Sequence, residues 1–143
     1  MDIKQISVFL ENKAGRLAEV TACLAQAGIN IRALYLADTT DFGILRMIVN
    51  DPDRAQDVLR NSGFVVQETD VIAVEVEDSP GGLNKVLSLL NAGNINIEYM
   101  YAFVEKKVNN AIVVFKIDEQ EKTIKLLLQN GIGLVPRDVL TNL

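Results

Sequence analysis

Two spacings of apolar residues alternate along this chain, and their order occurs twice. Ile6, Val8 and Leu10 alternate with Ser7 and Glu11, the period of a half-buried strand. Beyond Gly15 the spacing lengthens: Leu17, Val20, Cys23, Leu24 and Ala27 form the stripe of an amphipathic helix ending at Gly28. Ile29–Ala37 reads as a second strand, the turn residues of Asp38–Gly43 reverse the chain, and Ile44–Val49 reads as a third. Asp51 and Pro52 open a second helix with Ala55, Val58 and Leu59 inside, closed near Gly63. A short strand about Phe64–Gln67 completes a βαββαβ order. The rest of the chain predicts the same succession. It gives strand Val71–Val76, a helix from Pro80 to about Ala92, and strands Ile95–Val104 and Ala111–Ile117. A helix with Ile124, Leu127 and Leu128 follows, closed by Gly131, and a last short strand near Ile132–Val135.

The two halves are copies of one another. Gly15 and Gly81 lie 66 residues apart, and that offset aligns the stretch from Glu11 to Ile31 with that from Glu77 to Ile97. Identical pairs include Glu11/Glu77, Gly15/Gly81, Leu17/Leu83, Val20/Val86, Leu24/Leu90 and the Ile-Asn-Ile at 29–31 and 95–97. Agreement at both turn and core positions indicates duplication, with domain boundaries at 1–69 and 70–143. A βαββαβ unit of this size is expected to fold as a ferredoxin-like α+β sandwich, an antiparallel four-stranded sheet with both helices on one face. With almost no spacer between Gln67 and Val71, the two sheets are expected side by side. Edge strands Ile29–Ala37 and Ile95–Val104 would then pair into one eight-stranded antiparallel sheet and cover otherwise open edges. Both faces of the first sheet carry apolar residues: Ala33, Tyr35 and Ala37 against Leu34 and Leu36 on the second strand, and Leu45, Met47 and Val49 against Ile44 and Ile48 on the third. Helices cover one face, so a homodimer through the other is expected.

Composition removes several classes of function. The chain of 143 residues contains no histidine and one cysteine, Cys23, within the apolar helical stripe. His-based acid–base and nucleophilic catalysis and ordinary zinc sites are thereby excluded, and no cofactor is implied. A net charge of −5 opposes binding to a phosphate backbone, and the one adjacent basic pair, Lys106–Lys107, reads as a solvated turn. No apolar run spans a bilayer and the start lacks a signal-peptide pattern, so a cytoplasmic protein away from membranes is expected. Asp38, Asp41, Asp51 and Asp53 gather at loops without a base, nucleophile or metal constellation around them, which points away from an enzyme.

The fold alone names no function, so the first strand-to-helix turn of each repeat has to. It reads Asn12-Lys13-Ala14-Gly15-Arg16-Leu17 in one repeat and Asp78-Ser79-Pro80-Gly81-Gly82-Leu83 in the other. With the helix and the Ile-Asn-Ile strand start that follow, both repeats resemble the ACT domain family, along essentially the whole chain. Two departures stand out: Ala14 replaces the usual proline, and Gly93 falls one position early with Asn94 inserted. The resemblance implies a regulatory module that binds an amino acid, acting in pairs with ligand at the interface between domains.

Elementary chemistry points the same way. A free amino acid needs an anion acceptor and a cation acceptor a few ångströms apart. A helix N-terminus offers N–H groups and the positive end of a dipole to its carboxylate. Gly15, Gly81 and Gly82 let the backbone come close, Asn12 or Asp78 offers oxygen to the ammonium, and Asn30 or Asn96, from the same or a facing repeat, can donate and accept. Arg16, with Gly82 as its counterpart, is a candidate extra donor to the carboxylate. Asn12, Asp78 and Ser79 can equally be helix caps and nothing more, and Asn30 and Asn96 strand starts. Two roles thus stay open, a free-standing amino-acid sensor of amino-acid metabolism or a dedicated regulatory subunit of a biosynthetic enzyme.

Overall fold

The computed structural model describes residues 3–38, 41–103 and 110–141, and the Lys106–Lys107 pair lies outside them. The chain divides into two compact units, built mainly from Lys4–Thr69 and Asp70–Leu140. The elements are β1 (Ile3–Glu11), α1 (Arg16–Gln26), β2 (Ile31–Asp38), β3 (Phe42–Val49), α2 (Pro52–Asn61), β4 (Val65–Glu77), α3 (Gly82–Ala92), β5 (Ile97–Ala102), β6 (Asn110–Ile117), α4 (Gln120–Gln129) and α5 (Arg137–Thr141).

In the first unit the hydrogen-bonded order is β2-β3-β1-β4, and in the second β4-β6-β5. Among the described residues six strands stand where eight were expected. The strands foreseen at Phe64–Gln67 and Val71–Val76 are one strand, β4, of thirteen residues. The polar run Gln67–Asp70 looks like a linker in sequence but keeps extended backbone. The strand foreseen at Ile132–Val135 shrinks to a bridge between Val74 and Leu134, flanked by hydrogen bonds from Glu75 N to the Gly133 carbonyl and from Val135 N to that of Ala73. Val104 lies outside the described residues. Among those described, β2 ladders with β3 and β5 with β6, so the expected pairing of β2 with β5 is replaced by an order that sets each at the edge of its own unit.

Alternation decides which residues build each core. Ile6, Val8 and Leu10 of β1 lie opposite Met47, Leu45 and Gly43 of β3, and the larger five pack under Val20 and Leu24 of α1 and Leu59 of α2. Both helices of this unit therefore cover one face of its strands, as a 3.6-residue stripe over a two-residue period requires. The second unit repeats this with Ile72, Val74, Val113 and Phe115 beneath Val86 and Leu90 of α3 and Leu127 of α4. Leu128, expected inside, is exposed, whereas Thr123 is buried, its Oγ1 donating to the Glu119 carbonyl at 2.8 Å. Cys23 is half-buried between α1 and α2, its Sγ 3.4 Å from the Val58 carbonyl.

The insertion at Asn94 has a clear backbone reason. Gly28 closes α1 with φ of 72°, and the residue at the matching position, Asn94, has φ of 55°. Asparagine tolerates this left-handed region better than other side chains, so Asn94 assumes the role of Gly28.

The edge strand β2 carries exposed apolar residues of its own. The exposed leucines Leu34 and Leu36 lie opposite Met47 and Leu45 and thus share the helix-bearing side, beyond the reach of the helices. On the other side Ala33 and Ile48 are buried, and the Arg46 guanidinium stacks over Tyr35 at 5.8 Å. The edge strand β2 thus carries an exposed apolar patch apart from that of the open sheet face, where Phe9 and Phe42 are exposed.

Candidate functional site

Each β-to-α turn is built around one glycine in a backbone state that other residues rarely adopt. Gly15 (φ 89°) and Gly81 (φ 86°) stand at the N-caps of α1 and α3, and neither helix has a side-chain cap. The N-cap position itself is thus a glycine in both repeats and brings no side chain to its helix. The contrast with α2 is direct, since Asp51 there accepts from Arg54 N at 3.2 Å. First-turn amides at a helix N-terminus are what a carboxylate ligand requires.

The turns are held from below by the backbone. In repeat one Asn12 N donates to the Asp41 carbonyl at 2.9 Å, tying the turn to the start of β3, and Arg16 N reaches the Lys13 carbonyl at 3.4 Å. In repeat two Ser79 N bonds the Glu77 carbonyl at 2.9 Å and Gly82 N the Ser79 carbonyl at 3.0 Å. Gly82 is buried, and a Cβ there would stand 1.9 Å from the Glu77 carbonyl oxygen. Ala14, Gly15, Pro80 and Gly81 are exposed, as are Leu17 and Leu83. Two leucines exposed at the same place in both repeats mark a surface rather than a core, although the apolar stripe suggested core for Leu17.

Asn12, Arg16 and Leu17 come together around a small concavity of about 70 Å³ that also touches Leu36 of β2. Asp78, Ser79 and Gly82 line a wider one of about 590 Å³ with Glu75, Glu77 and Lys85. Asn30 and Asn96 do not join the turns of their own repeats. Ile31 lies opposite Val49, whereas Glu11 lies opposite Phe42, so seven residues of β3, about 23 Å at strand spacing, separate the two ends. Asn30 is instead locked to the β3 end, its N donating to Asn50 Oδ1 at 3.0 Å and its carbonyl accepting from Asn50 N at 3.2 Å.

Arg16 is not an unopposed cation. Its Nη1 donates to Glu19 Oε2 at 3.0 Å and its Nη2 stands 3.7 Å from Glu11 Oε1, while Lys13 Nζ is 3.4 Å from Glu11 Oε2. The loop thus offers both a guanidinium and a carboxylate, the two complements of a zwitterion. Glu11 was missed as a candidate by sequence reasoning. Its signal was present, because Glu11 and Glu77 are one of the identical pairs of the repeat, but a strand-end glutamate looks like ordinary solvated surface. Of the loop aspartates, Asp51 caps α2 and Asp53 lies 3.9 Å from Lys4, both structural roles. Among the described residues no group of three or more His, Cys, Asp or Glu could hold a metal ion, and no helix is long and apolar enough to cross a membrane.

Comparison with known proteins bears on the fold and the family. The crystal structure of protein BT0572 from Bacteroides thetaiotaomicron is 44% identical, matched over 100% of this chain and 98% of that one, with a TM-score of 0.94. The regulatory subunit of aspartate kinase from Thermus flavus shares the fold at 18% identity, over 90% of this chain and 92% of that one, with a TM-score of 0.63. A curated sequence, "Probable translation initiation factor IF-2" of Methanobrevibacter smithii, is 26% identical over 145 residues, of whose length the chain spans 24%. The profile of the ACT domain pair matches residues 1–143. The chain belongs to the ACT domain pair family, whose domains are regulatory modules.

Proposed function

We propose that this protein is a non-catalytic amino-acid sensor of amino-acid metabolism, its ligand held at the β-to-α turns. The observation that carries the reading is the matched pair of left-handed glycines, Gly15 and Gly81, that open α1 and α3 without a side-chain cap. Such a turn leaves first-turn amides for a carboxylate, and Glu11 or Asn12 supplies oxygen to the ammonium. The register of each unit keeps Asn30 and Asn96 from their own turns. Two or three charge-assisted bonds of roughly 1.5–3 kcal/mol each suffice for about micromolar to millimolar binding, the range a metabolite sensor uses.

Calorimetric titration with each of the twenty amino acids tests the reading. Saturable binding of at least one is expected, weakened by Gly15→Val or by the joint change Asn30→Ala with Asn96→Ala. If folded variants all bind as the parent does, the turns are not the site. Absence of binding for all twenty removes the sensor reading.

A second reading is a dedicated regulatory subunit of a biosynthetic enzyme. It is favoured by the Thermus flavus protein, an aspartate kinase regulatory subunit in which this fold occupies nearly the whole chain. Stable co-purification with an endogenous enzyme would select it over a free-standing sensor. The protein is expected in the cytoplasm in either case.

A further inference from the structure

The Glu11–Arg16 ion pair separates two concavities of the first unit. One is the small space beside Leu36 already described. The other, of about 280 Å³, lies where the end of β1 meets the start of β4, and is walled by Phe9, Phe42, Phe64 and Val65. Three of those four side chains are among the most exposed apolar groups of the protein: Phe9 39%, Phe42 61% and Val65 65%. Scattered exposed apolar residues are ordinary, but three converging on one concavity with a charged rim form a recognition surface.

The second repeat shows that the fold does not require them. Phe9 corresponds to Glu75, and Phe42, opposite Glu11, corresponds to Asn110, opposite Glu77. Val65, two residues after Gly63, corresponds to Gly133, two after Gly131. The matching concavity is lined by Glu75, Glu77, Asp78 and Asn110, polar and acidic instead of aromatic. The same scaffold thus stands with either lining, and the apolar one in repeat one is a property of the site.

We propose that this cavity of the first unit receives the side chain of an α-amino acid with a large apolar side chain, its carboxylate at Arg16 and its ammonium at Glu11. The proposal rests on the amino-acid-sensor reading and adds the class of ligand and the side of the turn on which it lies. Charge complementarity sets the head group, since cation and anion stand 3.7 Å apart at the rim. Size sets the rest: the volume falls just below the roughly 300–1,000 Å³ of pockets for drug-sized molecules, so it suits an amino acid and not a nucleotide.

Titration of the full chain with L-phenylalanine, L-leucine, L-alanine, L-aspartate and L-lysine tests it. Phenylalanine and leucine are expected to bind at least tenfold more tightly than the other three. Val65→Trp, which fills the cavity, and Phe42→Glu, which charges it, should each weaken phenylalanine at least tenfold. Both positions are exposed, and thermal melts verify the fold of each variant. In the parent chain, amide shifts on adding phenylalanine should centre on Phe42 and Val65, a readout that needs no variant. Binding of polar amino acids alone overturns the apolar class and leaves the sensor reading in place. Phenylalanine binding that ignores both variants, or shifts centred on Leu36, moves the ligand out of the cavity and overturns its assignment. If none of the twenty amino acids binds, both readings fall.

Discussion

A single methyl group added at Gly82 tests how the second turn is built. Gly82 begins α3 directly beneath the end of β4, and an alanine Cβ would lie 1.9 Å from the Glu77 carbonyl oxygen and 2.9 Å from its carbonyl carbon. Both atoms are backbone, so no side chain can swing aside. Relief requires the helix start or the strand end to move by about an ångström, which strains the Glu77–Asn110 end of the β4–β6 ladder. Overpacking of this kind costs about 1–3 kcal/mol and occasionally more. Alanine gains at most about 1 kcal/mol of helix propensity, and less at a first-turn position, so the clash dominates. The expected net loss of about 1–3 kcal/mol lowers the melting temperature by roughly 3–10 °C for a chain of this size. Thermal and urea unfolding followed by circular dichroism measure it, with Arg16→Ala as the matching substitution in repeat one, expected to change stability by less than about 0.5 kcal/mol. A Gly82→Ala protein that melts within a degree of the parent would refute the close-packed turn.

Three further outcomes follow from the geometry. Asp51→Ala should cost about 1 kcal/mol by removing the α2 cap, whereas Ser79→Ala should leave stability within about 0.5 kcal/mol because Ser79 caps nothing; equal losses in urea unfolding would return Ser79 to the role of cap. Asn94→Gly should match or exceed the parent in melting temperature, and Asn94→Ala should lose roughly 1 kcal/mol, since φ of 55° suits glycine and disfavours alanine. Two copies are expected to associate through the β2 edge where Leu34 and Leu36 lie exposed, so sedimentation should show a dimer well above a Kd of about 1 μM and a monomer for Leu34→Asp with Leu36→Asp; a monomeric parent chain refutes this.

Period and duplication made the order of strands and helices legible, because a strand and a helix demand different spacings of Ile, Val and Leu. What they could not convey was continuity and register. Gln67, Glu68, Thr69 and Asp70 carry no apolar alternation, yet they extend β4, since backbone pairing does not depend on side-chain polarity. Leu34 and Leu36 fell on the expected alternation, but only the ladder shows that their face is the one bearing the helices. The turns were legible from their glycines. The asparagines were not, because the motif places Asn30 fifteen residues beyond Gly15 in sequence while α1 carries it to the opposite end of the sheet. Arg16 was legible as a cation; its neutralisation by Glu11 and Glu19 depends on a turn of helix and a strand end meeting in space.

The duplication has left two turns of the same backbone and different electrostatics, one balanced and one acidic, and from this an expected number of ligands follows. Around the second turn, Glu75, Glu77 and Asp78 share the concavity with one cation among the described residues, Lys85, and Gly82 stands where Arg16 stands in the first. An incoming carboxylate is repelled there, a penalty offset only where the ammonium meets one of these carboxylates. At the first turn the carboxylate exchanges a solvated glutamate for a place beside the guanidinium, which has five N–H donors and two carboxylate contacts. One amino acid per chain is therefore expected at saturation. Arg16→Gln removes a charge-assisted bond of about 1.5–3 kcal/mol, a loss of affinity of roughly 10- to 150-fold. Lys85→Gln should alter affinity by less than about threefold, since the second concavity stays empty of ligand over the same range. The test is the stoichiometry of a calorimetric titration together with the ratio of the two losses. Two equivalents bound per chain, or a larger loss from Lys85→Gln than from Arg16→Gln, would show that the acidic turn binds ligand and that the charge argument has the repeats reversed.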